Sequence, residues 1–173
     1  VDAARRWTRC ARAKPPPDLR HRDTGPVIED LGDDVFHIDT RMGGYDGITS
    51  SYLIRGSRPC LVETGTARSA PIVVAGLAEL GIGPADLATV VVTHIHLDHA
   101  GGVGDIARAY PNARIVVHEK GARHLADPSR LMASAHRVFG TDLDRLFGEL
   151  VPVPQERLAV LSEVGTIDLG DGR

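Results

Sequence analysis

Six consecutive residues, His94-Ile95-His96-Leu97-Asp98-His99, hold three imidazoles and a carboxylate. Protonated histidines this close repel one another, and none of these side chains gains much from burial. What they share is a lone pair for a divalent ion. Borderline nitrogen and hard oxygen donors suit a transition metal, zinc first, with iron or manganese behind it. A solvated turn would mix Ser, Asn and Lys into such a run, whereas every polar residue here is a ligand type. In an extended strand end His94 and His96 point to one side, because side chains alternate. Once the chain turns, Asp98 and His99 are free to aim at a second ion position beside the first. Two donors apiece are too few to close two sites, so each ion needs further ligands from elsewhere in the fold.

The flanking residues say what must hold this cluster. Residues 87–93, Leu-Ala-Thr-Val-Val-Val-Thr, form a β-branched run of the length expected for a buried strand. After the motif come Gly101-Gly102 and a short helix over 103–110. The ligands are therefore expected where a buried strand ends and a helix begins, a common place for sites in layered α/β proteins. Upstream, residues 34–39 alternate as a half-buried strand, and 48–54 with 59–63 read as a hairpin around Arg55-Gly56-Ser57-Arg58. Residues 69–80 form an amphipathic helix closed by Gly81 in a left-handed cap. Pro84-Ala85-Asp86-Leu87 reads as one helical turn. Downstream, a strand is expected at 114–118, helices at 119–125 and 136–150, and strands at 157–161 and 166–169. Strands first and strand-helix units later make the class α/β or α+β.

The segment Thr93-His94-Ile95-His96-Leu97-Asp98-His99-Ala100-Gly101-Gly102, together with Leu61-Val62-Glu63-Thr64-Gly65, resembles the metallo-β-lactamase-fold hydrolases. The resemblance runs from about residue 35 to residue 173. It implies an αββα sandwich of which the N-terminal half is present and the C-terminal half missing. It also implies His94 and His96 on a first metal, Asp98 and His99 on a second, and two zinc ions in the complete domain, with iron or manganese as substitutes. Glu63 stands at the family's acidic strand end, where an Asp usually supports the metal-bound histidines from behind; Glu is one methylene longer. A third histidine, a bridging Asp and a final histidine would follow beyond residue 173. The chain is accordingly expected to be a fragment of a longer product, or a short protein that has lost catalysis or completes its site through a partner.

Composition narrows the classes further. The chain has 173 residues, 42% of them hydrophobic and 4% aromatic, with a formal net charge of −3. The core must be built from Val, Leu, Ile and Ala. Near-neutral charge offers no general pull toward nucleic acid or an anionic membrane, and no apolar run approaches the roughly 20 residues of a bilayer span. Cys10 and Cys60 read as free thiols, and with no apolar secretory signal at the start the expected compartment is the cytoplasm. Residues 1–25 are Arg-rich around Pro15-Pro16-Pro17 and are expected to be a disordered leader; residues 26–173 form the domain. Among the other histidines, His118 at a strand end is the most tempting extra ligand. His21, His37, His124 and His136 read as solvated or hydrogen-bonded side chains. Asp105, Asp127 and Asp168 read as caps or turn residues.

The expected function is a dinuclear metal hydrolase acting on an ester, thioester, lactone or similar bond of a small molecule. The resemblance implies a water shared between two ions and oriented by Asp98. An iron redox enzyme of the same fold is the first alternative, although a diiron flavoprotein would resemble His-x-Glu where His96 stands. A non-catalytic fragment that keeps half the site is the second. Homo-oligomerisation through the exposed sheet face is a further expectation.

Overall fold

The computed structural model describes residues 25–170 and residue 172. The leader expected at residues 1–25, with Cys10, lies outside the described residues except for Gly25. The described strands form one mixed sheet in chain order: β1 (Ile28–Gly32), β2 (Val35–Asp39), β3 (Ser50–Ile54), β4 (Cys60–Val62), β5 (Thr89–Val91), β6 (Arg114–His118) and β7 (Leu158–Leu161). β1 to β4 pair antiparallel, and β4 to β7 pair parallel. The switch follows from the connections, because a short loop can only reverse a strand whereas a parallel return needs a helical crossover. The helices are α1 (Ala70–Glu79), α2 (Leu97–Ala100), α3 (Val103–Ala109), α4 (Glu119–Ala126), α5 (Ser129–Phe139) and α6 (Asp142–Leu146).

Register places Phe36, Leu53, Leu61, Val90, Ile115 and Leu158 in one row across six strands, all of them buried. Each such side chain contributes about 1.5–3 kcal/mol when withdrawn from water. Helices α1 and α3 pack on each other and onto this core, α1 closely enough that a Cβ at Gly76 would meet Ile38 Cγ2 at 2.9 Å. Gly81, at φ +79°, ends the α1 region as expected. On the opposite side of the sheet Tyr52, Val62, Val91, Val116 and Ala159 form a second row, in which Val116 is buried, Val62, Val91 and Ala159 are half-buried and Tyr52 is exposed.

The departures from expectation have local causes. β1 is added at the edge through a two-residue turn at Asp33-Asp34, both at positive φ. The helix expected over 136–150 is instead two, α5 and α6, broken at Gly140 with φ +54°. The turn at Pro84 to Asp86 is not helical; Asp86 Oδ2 accepts the Gly83 N–H at 2.8 Å and closes it. Residues 166–169 form no strand. That segment docks on the β3–β4 loop, where the Arg58 N–H donates to Leu169 O at 3.1 Å and Arg58 pairs with Asp168 at 3.2 Å. Among the described residues the architecture is thus one seven-stranded mixed sheet with its helices. No helix among them is long and apolar enough to cross a membrane.

Candidate metal centre

The ligand run leaves the sheet at the carboxyl end of β5. Ile95 turns inward: a Cβ at Gly121 of α4 would approach Ile95 Cγ2 to 2.7 Å, so α4 seats directly against it. With Ile95 inward, His94 and His96 on either side are exposed to solvent. The His96 carbonyl then accepts the His99 and Ala100 N–H groups and starts α2. Buried Leu97 and Ala100 anchor that single turn, leaving Asp98 and His99 half-buried beside the two histidines.

A second segment, the turn after β4, holds the cluster from behind. The Thr64 N–H and hydroxyl both donate to His99 O, at 2.9 and 3.0 Å, and the Gly102 N–H donates to Gly65 O at 3.0 Å. Gly101 and Gly102 allow this seam, because a Cβ on Gly102 would lie 2.9 Å from both Thr64 O and Thr66 O. Glu63 occupies the left-handed region at φ +65°, unusual for a glutamate, and is 6% exposed. Its Oε1 accepts the Thr93 N–H at 2.7 Å, and its Oε2 lies 3.1 Å from His99 Nδ1. The two sequence segments that carried the resemblance are therefore bonded to each other.

All five residues singled out from the sequence come together. The His94 ring centroid is 4.7 Å from that of His96 and 4.3 Å from that of His99. His99 Nε2 lies 3.4 Å from Asp98 Oδ2. Donor atoms of Glu63, His94 and His99 all fall within 4.8 Å of one another. Thr93 escaped sequence reasoning: its hydroxyl is 2.9 Å from His94 Nδ1 and its N–H anchors Glu63. Burial, then the neighbouring His99 and His96, hold His94 below the usual histidine range, against the opposing pull of Glu63 and Asp98. A neutral imidazole is the form that binds metal. The residues fit a divalent ion in two further respects. The donor set is nitrogen and carboxylate oxygen, and Glu63 Oε2 is buried with no hydrogen-bond partner.

The remaining histidines among the described residues lie outside this group, and His21 lies outside the described residues. His118 Nδ1 accepts the Lys120 N–H at 3.2 Å and caps α4. His37 Nε2 meets Ser50 Oγ at 2.7 Å, and His124 Nε2 accepts from Arg123. Asp127 and Asp168 close turns by accepting the Ser129 and Gly170 N–H groups, as expected. Asp105 does not cap α3; it sits half-buried in the first turn with its pKa raised by burial.

Comparison with known proteins agrees with this geometry. The model of the metallo-beta-lactamase superfamily matches residues 44–171. A probable metallo-hydrolase of Methanocaldococcus jannaschii is 27% identical over 124 residues, covering 72% of this chain and 53% of the relative. A thioesterase of Emericella nidulans is 27% identical over 135 residues, covering 73% and 37%. The chain thus spans about half the length, or less, of the curated relatives it matches. Among solved structures, a subclass B3 metallo-beta-lactamase from a soil metagenome superposes with TM-score 0.62 at 21% identity, covering 86% of this chain and 50% of its own. The metallo-beta-lactamase MIM-1 of Novosphingobium pentaromativorans gives TM-score 0.62 at 22% identity, covering 90% and 52%. These neighbours share the fold over about half of their own length. The chain belongs to the metallo-beta-lactamase superfamily.

Proposed function

We propose that this protein is a metal-dependent hydrolase that splits an ester, thioester, lactone or similar bond of a small molecule. The observation that carries the reading is the convergence of His94, His96, Asp98 and His99 at one strand end, held by the Glu63–Gly65 turn. The names of the two relatives, a metallo-hydrolase and a thioesterase, support hydrolysis and include a thioester among the candidate substrates. His94 and His96 would hold one ion, Asp98 and His99 a second, with zinc the first candidate by donor type. Bound ions would supply Lewis acidity and a more acidic water.

The chain's own residues do the rest. Burial, then His99 and His96, lower the His94 pKa, which favours the neutral ring that can offer its lone pair. Asp98, about a third exposed at its side chain, can accept a hydrogen bond from an incoming water and orient it. Buried Leu97, Ala100 and Ile95's seat on α4 keep these groups from drifting, so that the geometry is set before substrate arrives. The test is turnover of thioester, lactone and phosphodiester substrates by the full-length protein loaded with zinc, iron or manganese. Activity is expected with one substrate class and is lost in His94→Ala and Asp98→Asn. Absence of turnover with every metal contradicts the reading.

A further inference from the structure

We infer that His118 is a substrate-binding residue, whose Nε2–H donates a hydrogen bond to an oxygen of the molecule being hydrolysed, beside the metal centre. The inference rests on the hydrolase reading above and deepens it. That reading names groups that hold the ions; His118 holds none and recognises the substrate instead.

Strand register places the residue. β5 and β6 run parallel with Val91 opposite Val116, and the Val92 N–H donates to Val116 O at 3.1 Å. Carried two residues on, that register sets His118 beside Thr93, one strand spacing of about 4.8 Å from the start of the ligand run. Packing gives the same neighbourhood independently, because a Cβ on Gly121 would lie 2.7 Å from Ile95 Cγ2 and 3.0 Å from Val117 Cγ2. Ile95 and Val117 therefore share the side that α4 covers. Alternation turns His94, His96 and His118 to the other side, and all three are exposed.

The cap on α4 fixes the chemistry of the ring. The Lys120 N–H donates to His118 Nδ1 at 3.2 Å. A backbone amide has only a proton to offer, so Nδ1 presents its lone pair and the ring proton sits on Nε2. Among the described residues that Nε2–H meets no acceptor. Capping alone needs only an acceptor, which Ser or Asn supplies. Histidine adds what they lack, a donor that reaches beyond the cap. The same bond limits the ring's part. Taking up a proton would require Nδ1 to leave the amide, so His118 donates and is not a general base.

Two substitutions separate capping from substrate binding. Both are made in the full-length protein and assayed with zinc on whichever of the thioester, lactone and phosphodiester substrates the wild type turns over. His118→Asn keeps an acceptor for the Lys120 N–H and loses the far donor. It should melt like the wild type while KM rises about tenfold and kcat changes little, the effect of one hydrogen bond made equally in the ground and transition states. His118→Gln carries an amide N–H near the place of Nε2–H but caps poorly. It should melt about 2–4 °C lower and recover most of the KM. A histidine that only caps predicts the reverse, with an unchanged KM in His118→Asn. That result overturns the inference and leaves the hydrolase reading intact, whereas a wild type that turns over none of the substrates overturns both. Nitrogen NMR of the metal-free chain in mildly alkaline buffer reads the ring without turnover. A protonated Nε2 and a bare Nδ1 are expected at His118; the opposite tautomer overturns the inference alone.

Discussion

Gly102→Ala probes the seam between the two segments that build the site. The added Cβ would stand 2.9 Å from Thr64 O, 2.9 Å from Thr66 O and 3.2 Å from Ala70 Cβ. Two of these neighbours are backbone carbonyls, which cannot swing aside, so α2 and the Glu63–Thr66 turn must part by about half an ångström to restore ordinary contact. Overpacking of this kind costs about 1–3 kcal/mol, and weakening the Gly102 N–H bond to Gly65 O adds about 1 kcal/mol. In a domain of this size each kcal/mol moves Tm by about 2–4 °C, so a fall of roughly 4–16 °C is expected. Gly76→Ala is the matched control away from the site. Its Cβ would also meet an atom at 2.9 Å, the Cγ2 methyl of Ile38, a fully buried β-branched side chain that has little room to move, while alanine favours the helix by about 1 kcal/mol. Thermal melts and competition against a chromophoric zinc chelator should be run on both variants. Gly102→Ala should lose stability and tenfold or more in zinc affinity, and Gly76→Ala should lose stability while keeping its zinc affinity. If Gly102→Ala loses stability but binds zinc as the wild type does, the seam does not register the ligands and the reasoning fails.

Three further predictions follow from particular groups. In metal-free protein the His94 ring should titrate below 6.5, the ordinary value. As pH falls from there the unfolded chain takes up this proton first, so His94's contribution to stability is lost as pH drops through its folded pKa. An NMR midpoint at or above 6.5 would contradict this. Burial pushes the Cys60 thiol up to about 11, so it should resist iodoacetamide at pH 8 until the protein is denatured, and native labelling would count against the fold. Because the unfolded thiol ionises first, stability should decline as pH climbs from 9 toward 11. Asp39, 3% exposed, accepts the Arg41 N–H on one oxygen and the Gly47 N–H on the other. Asp39→Asn sets an amide against one of these donors, which should cost about 1–3 kcal/mol and speed proteolysis within residues 41–49; an unchanged cleavage rate would show that the latch does not hold the loop.

The site was far more legible in the sequence than its support. His94, His96, Asp98 and His99 announce themselves by type and spacing, and a β-branched run beside Gly101-Gly102 locates them at a strand end. The conformation of Glu63 left no trace in sequence. Glutamate has no intrinsic preference for positive φ; the bonds from Thr93 and the glycine seam impose it. Thr93 was invisible for a related reason, because a hydroxyl's role depends on which ring lies beside it. β1 reads Ile-Glu-Asp-Leu-Gly and has little strand character of its own; pairing with β2 defines it. The break between α5 and α6 did carry a signal, Gly140-Thr141, which the helical periodicity on both sides masked. Residues 166–169 alternate like a strand but find no partner among the described residues, and Arg58 holds them instead.

The central claim is that these side chains hold a divalent ion. Zinc per chain after exhaustive dialysis, measured by elemental mass spectrometry on the wild type and on the His94→Ala/His99→Ala double variant, tests it directly. At least one ion retained by the wild type and none by the variant is the predicted result. A wild type that retains no zinc, or a variant that retains as much, would contradict it.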